Sequence, residues 1–164
     1  MPTKPQSDFA QILRILAAHK VDFIVVGGVC AVLHGAPIAT FDLDIVHSRT
    51  RDNLNRLLPA LDELKAHYRG QAGRHITPEE SHLASPGHQL LMTAAGPLDL
   101  LGAVSEDLGF MDLLSHTSNI ELGAGLVVRL LSLEKLIELK EAAGRDKDLA
   151  VLSVLKRTLE ERNR

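Results

Sequence analysis

The chain has 164 residues, 45% of them hydrophobic and 24% charged, with a formal net charge of −3. An ordinary domain has roughly 100–200 residues, so one domain is expected, and collagen-like, low-complexity and wholly disordered classes are excluded. The mildly acidic balance argues against a dedicated nucleic-acid coat protein, although a local basic face is still compatible with a nucleic-acid substrate.

Ser7 is placed to cap a helix in which Phe9, Ile12, Leu13 and Leu16 recur at three- and four-residue spacing, fading near Lys20. Phe23 to Val26 is a short β-branched run, read as a strand, that stops at Gly27-Gly28. Val29 to Leu33 then supplies one or two helical turns closed by Gly35 and Pro37. Phe41, Leu43 and Ile45 alternate with Asp42 and Asp44, which predicts a strand with an apolar and an acidic face. Leucines 54, 57, 58, 61 and 64 stripe a helix over 50–64, with Asp52 in its first turn. His67 to Gly87 lacks periodicity and is expected to be mostly irregular, with room for one strand that the pattern does not place. His88–Thr93 and Leu98–Leu101 read as strands joined by the turn-like Ala94-Ala95-Gly96-Pro97. A short helix around Phe110 to Leu114, strands near Asn119–Leu122 and Leu126–Leu130, and two helices separated at Gly144 complete the chain, the first opened by Ser132. The link between strands at 88–101 is too tight for a parallel crossover. The expected class is therefore α/β or α+β, a mixed sheet flanked by helices, with a core over about 21–130 and C-terminal helices over about 132–160 in one domain.

The segment MPTKPQSD lacks an apolar leader, and no apolar run reaches the ~18–20 residues of a membrane span, so a cytoplasmic location without membrane contact is expected. The single Cys30 cannot form an internal disulfide or a multi-cysteine zinc site and reads as a small packed residue. His75, His82 and His88 lack the helical i, i+4 pairing of a zinc site and read as surface residues. Arg49, Arg51 and Arg56 fit either a basic rim or a solvated helix face.

The informative feature is Val25-Val26-Gly27-Gly28 followed by Asp42-Leu43-Asp44. Two carboxylates at i and i+2 on one strand share a face, about 6–7 Å apart, and can share divalent cations. Like charges so placed repel and raise each other's pKa, which a bound cation offsets; the alternative is a solvated strand face in a metal-free α/β domain. A Gly-Gly between strand and helix allows close approach of a phosphate to unpaired N–H groups, or simply makes a tight turn. Asp99, an isolated acid between Leu98 and Leu100, needs a partner.

This pattern resembles the nucleotidyltransferase superfamily that shares the DNA polymerase β-like fold. The resemblance is closest to the small bacterial proteins similar to abortive-infection toxin nucleotidyltransferases, through Leu33-His34-Gly35, the run from Leu131 to Lys140, and Gly144-Arg145-Asp146-Lys147-Asp148. These motifs span about residues 21 to 150. The resemblance implies transfer of a nucleoside monophosphate from a nucleoside triphosphate to a hydroxyl of RNA, tRNA included, or of protein, with a partner antitoxin. It also implies that Asp42, Asp44 and Asp99 are catalytic and hold two Mg²⁺ ions. One ion would lower the pKa of the attacking hydroxyl and the other would neutralise the triphosphate, with Asp99 as base toward the acceptor. Gly27, Gly28 and Thr40 would seat the nucleotide, Lys140 would meet the triphosphate, and Lys147 and Asp148 would line the same cleft. From spacing alone, Lys140 and the 145–148 run are also explained as solvated or helix-capping charges. The pattern departs from the relatives at Ile38, where an arginine is common, so one cation contact to phosphate is absent. That substitution supplies the competing expectation, a nucleotidyltransferase-like binding or regulatory domain without catalysis.

Overall fold

The computed structural model describes residues 7–105 and 107–164, and the expectation drawn from residues 1–6 lies outside them. Helix α1 (Phe9–Ala18) is capped by Asp8, whose side chain accepts the Gln11 N–H at 3.0 Å, and not by Ser7. Ser7 instead lies against Gly96, where a Cβ would meet its Oγ at 2.7 Å. Strand β1 (Phe23–Val26) runs directly into α2 (Gly27–Leu33), so the glycine pair forms the first helical residues. All four residues of β1 are buried, which requires cover on both faces of the sheet.

Strand β2 (Leu43–His47) is followed by α3 (Arg51–Glu63), capped by Thr50. The strand begins two residues later than the alternation at Phe41 suggests. Val26, the last residue of β1, already faces Asp44, so Phe41 and Asp42 find no ladder partner there and Phe41 is 84% exposed. The stretch from His67 to Gly87 contains β3 (His67–Tyr68) and α4 (Glu80–Ala84). A two-residue strand cannot display a period of two, which hides it from pattern reasoning.

Strands β4 (His88–Thr93) and β5 (Gly96–Leu101) form a hairpin whose turn is only Ala94-Ala95, with Gly96 and Pro97 inside the strand. The Thr93 hydroxyl closes that turn, donating to the Gly96 carbonyl at 2.7 Å and accepting the Ala95 N–H at 3.0 Å. The chain continues through α5 (Phe110–Leu113), a 3₁₀ turn, β6 (Thr117–Glu121), β7 (Val127–Leu131), α6 (Leu133–Ala143) and α7 (Asp146–Arg162). Ser132 caps α6, and Gly144 ends it in the left-handed conformation at φ 61°.

Among the described residues seven strands form one mixed sheet in the order β3-β4-β5-β2-β1-β7-β6, parallel at β1/β7 and β2/β5 and antiparallel elsewhere. The expected mixed α/β sheet flanked by helices is thus observed. Helix α1 packs on α3, α2 on α6, and α6 on α7, over a continuous core that includes Ile24, Ile45, Leu57, Leu98 and Leu130. Among the described residues no helix is long and apolar enough to cross a membrane.

Candidate active site

The sheet register brings the acids together. Asp44 faces Val26 across β1 on one side and Asp99 across parallel β5 on the other. Asp42 precedes β2 in a bend closed by the Thr40 hydroxyl, which donates to the Asp42 carbonyl at 3.1 Å. Asp42, Asp44 and Asp99 each direct a carboxylate oxygen to one point, with the three oxygens within 4.8 Å of one another.

The glycines make this convergence possible. Gly27 has φ +69°, and a Cβ there would lie 2.2 Å from Asp44 Oδ2. A Cβ on Gly28 would lie 2.7 Å from Thr40 Oγ1. Both glycines therefore give their side-chain volume to Asp44 and to the bend that carries Asp42, a packing role that the Gly-Gly pattern alone does not reveal.

The electrostatics are those of crowded, partly buried carboxylates. Burial, then the charges of Asp42 and Asp99, push the Asp44 carboxyl up to about 7, with Lys140 pulling partly the other way. Burial and Asp99 likewise raise Asp42, offset in part by Arg69. Asp44 Oδ1 is buried without a hydrogen-bond partner among the described residues. A buried orphan oxygen is rare and costly, and here it belongs to a carboxylate clustered with two others. Three hard oxygen donors with one unsatisfied lone pair fit Mg²⁺ or Mn²⁺, which take carboxylate ligands and complete their shell with water or phosphate.

Arg69 is the partner that the isolated Asp99 requires. It lies 30 positions upstream in the stretch without periodicity, and its Nη2 donates to Asp99 Oδ1 at 2.7 Å while Nη1 donates to the Leu91 carbonyl at 2.9 Å. The apolar setting of Asp99 signals the need for a cation; nothing in the sequence around residue 69 says which one answers it.

Lys140, on α6, is bound to Asp148 at 3.1 Å, and its charge still reaches Asp44. Asp148 is fully buried, and both its oxygens are engaged by Lys140 and Arg145. It therefore orients two cations and has no free oxygen toward a cleft. Arg145 and Lys140 hold its carboxyl down at about 2, so the stability it confers is complete above pH 4 and is lost as pH falls toward 2. Asp148→Asn should cost about 1–3 kcal/mol at pH 7, measured by urea denaturation, and the difference from wild type should shrink near pH 2. Lys147 is exposed on the first turn of α7.

The remaining candidates have structural occupations. Because β2 runs away from Asp44, Arg49, Arg51 and Arg56 follow its far end and form no rim beside the acids. Arg56 binds the Lys20 carbonyl and Asp22, and Arg49 the Ala84 carbonyl. His82 completes the α4 capping box, His75 stacks on His67, and His88 bonds the Ala103 carbonyl. Cys30 is buried against the Leu131 carbonyl, and burial pushes its thiol up to about 12. Ile38 is partly buried and packs on the core.

No family model and no curated protein matches this sequence. Solved structures do match. TM1012 from Thermotoga maritima, a nucleotidyltransferase candidate, is similar with a TM-score of 0.56 at 20% identity, covering 93% of this chain and 91% of that one. The antibiotic-resistance factor ANT(2'')-Ia in solution matches with a TM-score of 0.57 at 14% identity, over 92% and 82% of the two chains. The crystal structure of ANT(2'')-Ia with adenylyl-2''-tobramycin gives 0.57 at 16%, over 92% and 87%. The chain has the nucleotidyltransferase fold. Asp44, at the start of β2, lies between Val26 at the end of β1 and Asp99 within β5, so the mixed sheet and the acid cluster are set by the same register.

Proposed function

We propose that the chain is a divalent-metal-dependent nucleotidyltransferase that moves a nucleoside monophosphate from a nucleoside triphosphate to an acceptor hydroxyl, releasing pyrophosphate. The convergence of Asp42, Asp44 and Asp99 beside Gly27 carries this reading, and the likeness to nucleotidyltransferase structures supports it. Asp42, Asp44 and Asp99 would hold Mg²⁺, which when bound neutralises phosphate charge and lowers the pKa of a hydroxyl. Gly27 and Gly28 are assigned to seat the triphosphate, Thr40 ties down the bend that carries Asp42, and Lys140, oriented by Asp148, contributes positive charge that reaches Asp44. Asp99 is the acid nearest the open β4/β3 edge and is assigned the acceptor proton. Lys147 is assigned to the same cleft through the 144–148 motif.

The acceptor is proposed to be a hydroxyl of RNA or protein, and the toxin-type motifs extend the proposal to a toxin held by an antitoxin. Incubation with each α-³²P-labelled nucleoside triphosphate, Mg²⁺ and separate pools of tRNA, protein and aminoglycoside should leave label on one acceptor class. Asp42→Asn should abolish it, and label retained by that variant would overturn the site. A second reading, a nucleotide-binding domain without catalysis, draws on Ile38, an apolar side chain packed on the core at the position where the resemblance to the toxin-type branch leads one to expect an arginine. It predicts thermal stabilisation by Mg²⁺ and nucleotide with no pyrophosphate release from any pool.

A further inference from the structure

We infer that Arg69 is an internal counter-ion to Asp99 that competes with the divalent cation, and so sets the metal affinity of the site; this rests on the reading of the three acids as a metal centre. Asp99 sits in an apolar strand, its side chain only 12% exposed, and Arg69 supplies the cation bonded to it at 2.7 Å. A divalent ion shared by the three carboxylates would arrive within a few ångströms of that guanidinium, where like charges repel strongly in a partly desolvated setting.

The local structure allows exchange without unfolding. The Arg69 backbone is held at the end of β3, its N–H donating to the Leu90 carbonyl at 3.0 Å, so only the side chain needs to move. The residue after it, Gly70, has φ +74° with open space around it. Arg69 also lines an open cavity of about 440 Å³ with Gly70, Gln71, Arg74 and Met92, large enough to receive a displaced guanidinium. The ion pair thus offsets part of the Asp99 charge in the metal-free protein and stands where the guanidinium can swing away. Arg69 is a positioning residue: it acts on the metal through Asp99.

The test is Mn²⁺ binding to the full chain, read from the electron paramagnetic resonance signal of free Mn²⁺, for wild type, Arg69→Gln and Arg69→Lys. Removing the competing charge should tighten Mn²⁺ binding about tenfold in Arg69→Gln, while Arg69→Lys stays within about threefold of wild type. Unchanged or weaker binding in Arg69→Gln overturns the inference and leaves the metal site standing, whereas no binding to any of the three proteins overturns the metal site and the inference with it. Should Arg69→Gln fail to fold in a melt with chelator, wild type decides. Its Arg69 side-chain ¹⁵Nε resonance should shift on saturation with Mg²⁺, and a resonance that stays in place overturns the exchange.

Discussion

Asp44→Asn is expected to abolish nucleotidyl transfer, by about 10³-fold or more, and at the same time to make the metal-free protein more stable. The two effects have one source. Loss of a ligand shared by the reaction's cation removes several kcal/mol of transition-state stabilisation. In the absence of metal the same carboxylate is a liability, with a buried orphan oxygen and two acids for neighbours. Burial and those neighbours hold the folded-state carboxyl up near 7, against 3.8 ordinarily. Between those values the folded chain keeps a proton that the unfolded chain has released, so this group's contribution falls as pH rises through the window and is level above it. Asparagine removes the charge, and at pH 8 the variant should gain on the order of 2 kcal/mol, or about 4–8 °C in melting temperature. The gap between variant and wild type should close as pH is lowered toward 4. Saturating Mg²⁺ at pH 8 should reverse the order, since only wild type gains from binding. Thermal melts in chelator and in Mg²⁺ at three pH values check all of this, and a variant less stable than wild type in chelator at pH 8 contradicts it.

Gly27→Ala is expected to lose activity by about 10²-fold or more through displacement of Asp44. The methyl group would lie 2.2 Å from Asp44 Oδ2, and the backbone stands at φ +69°. The left-handed conformation alone costs a non-glycine residue about 1–2 kcal/mol. Gly125 separates the two costs, because it has φ +77° with nothing within 4 Å of a Cβ. Gly125→Ala should therefore lose about that much stability and keep full metal binding and activity. Gly27→Ala should lose more stability together with the Mg²⁺-dependent rise in melting temperature. Equal behaviour of the two variants would mean that Gly27 serves the turn and not the acid.

The parts of the site visible in the sequence are those that sequence-local patterns encode. Phe23–Val26 ending at Gly27-Gly28 marks a strand entering a helix, and Asp42-x-Asp44 marks two acids two residues apart. Asp99 is conspicuous because charge in an apolar strand is costly. What was not legible depends on contacts distant in the chain. Arg69 answers Asp99 from the residue after a two-residue strand too short to show a period. The β2 boundary was set by the end of β1 and not by the alternation from Phe41. The charged run at 145–148 is plain in the sequence, yet whether Asp148 faces solvent or lies buried between Lys140 and Arg145 is decided by how α7 packs on α6. The arginines after β2 looked close to the acids in sequence, and the direction of the strand carries them to its other end.

Asp44 on β2, Asp42 in the bend before it and Asp99 on the adjacent β5 are proposed to hold a divalent cation. Anomalous diffraction from crystals grown at pH 8 with MnCl₂ and a non-hydrolysable nucleoside triphosphate tests this most directly. A manganese peak bonded to Asp42, Asp44 and Asp99 together is the result predicted. A peak bound elsewhere with these three carboxylates bare, or triphosphate density remote from them, would contradict it.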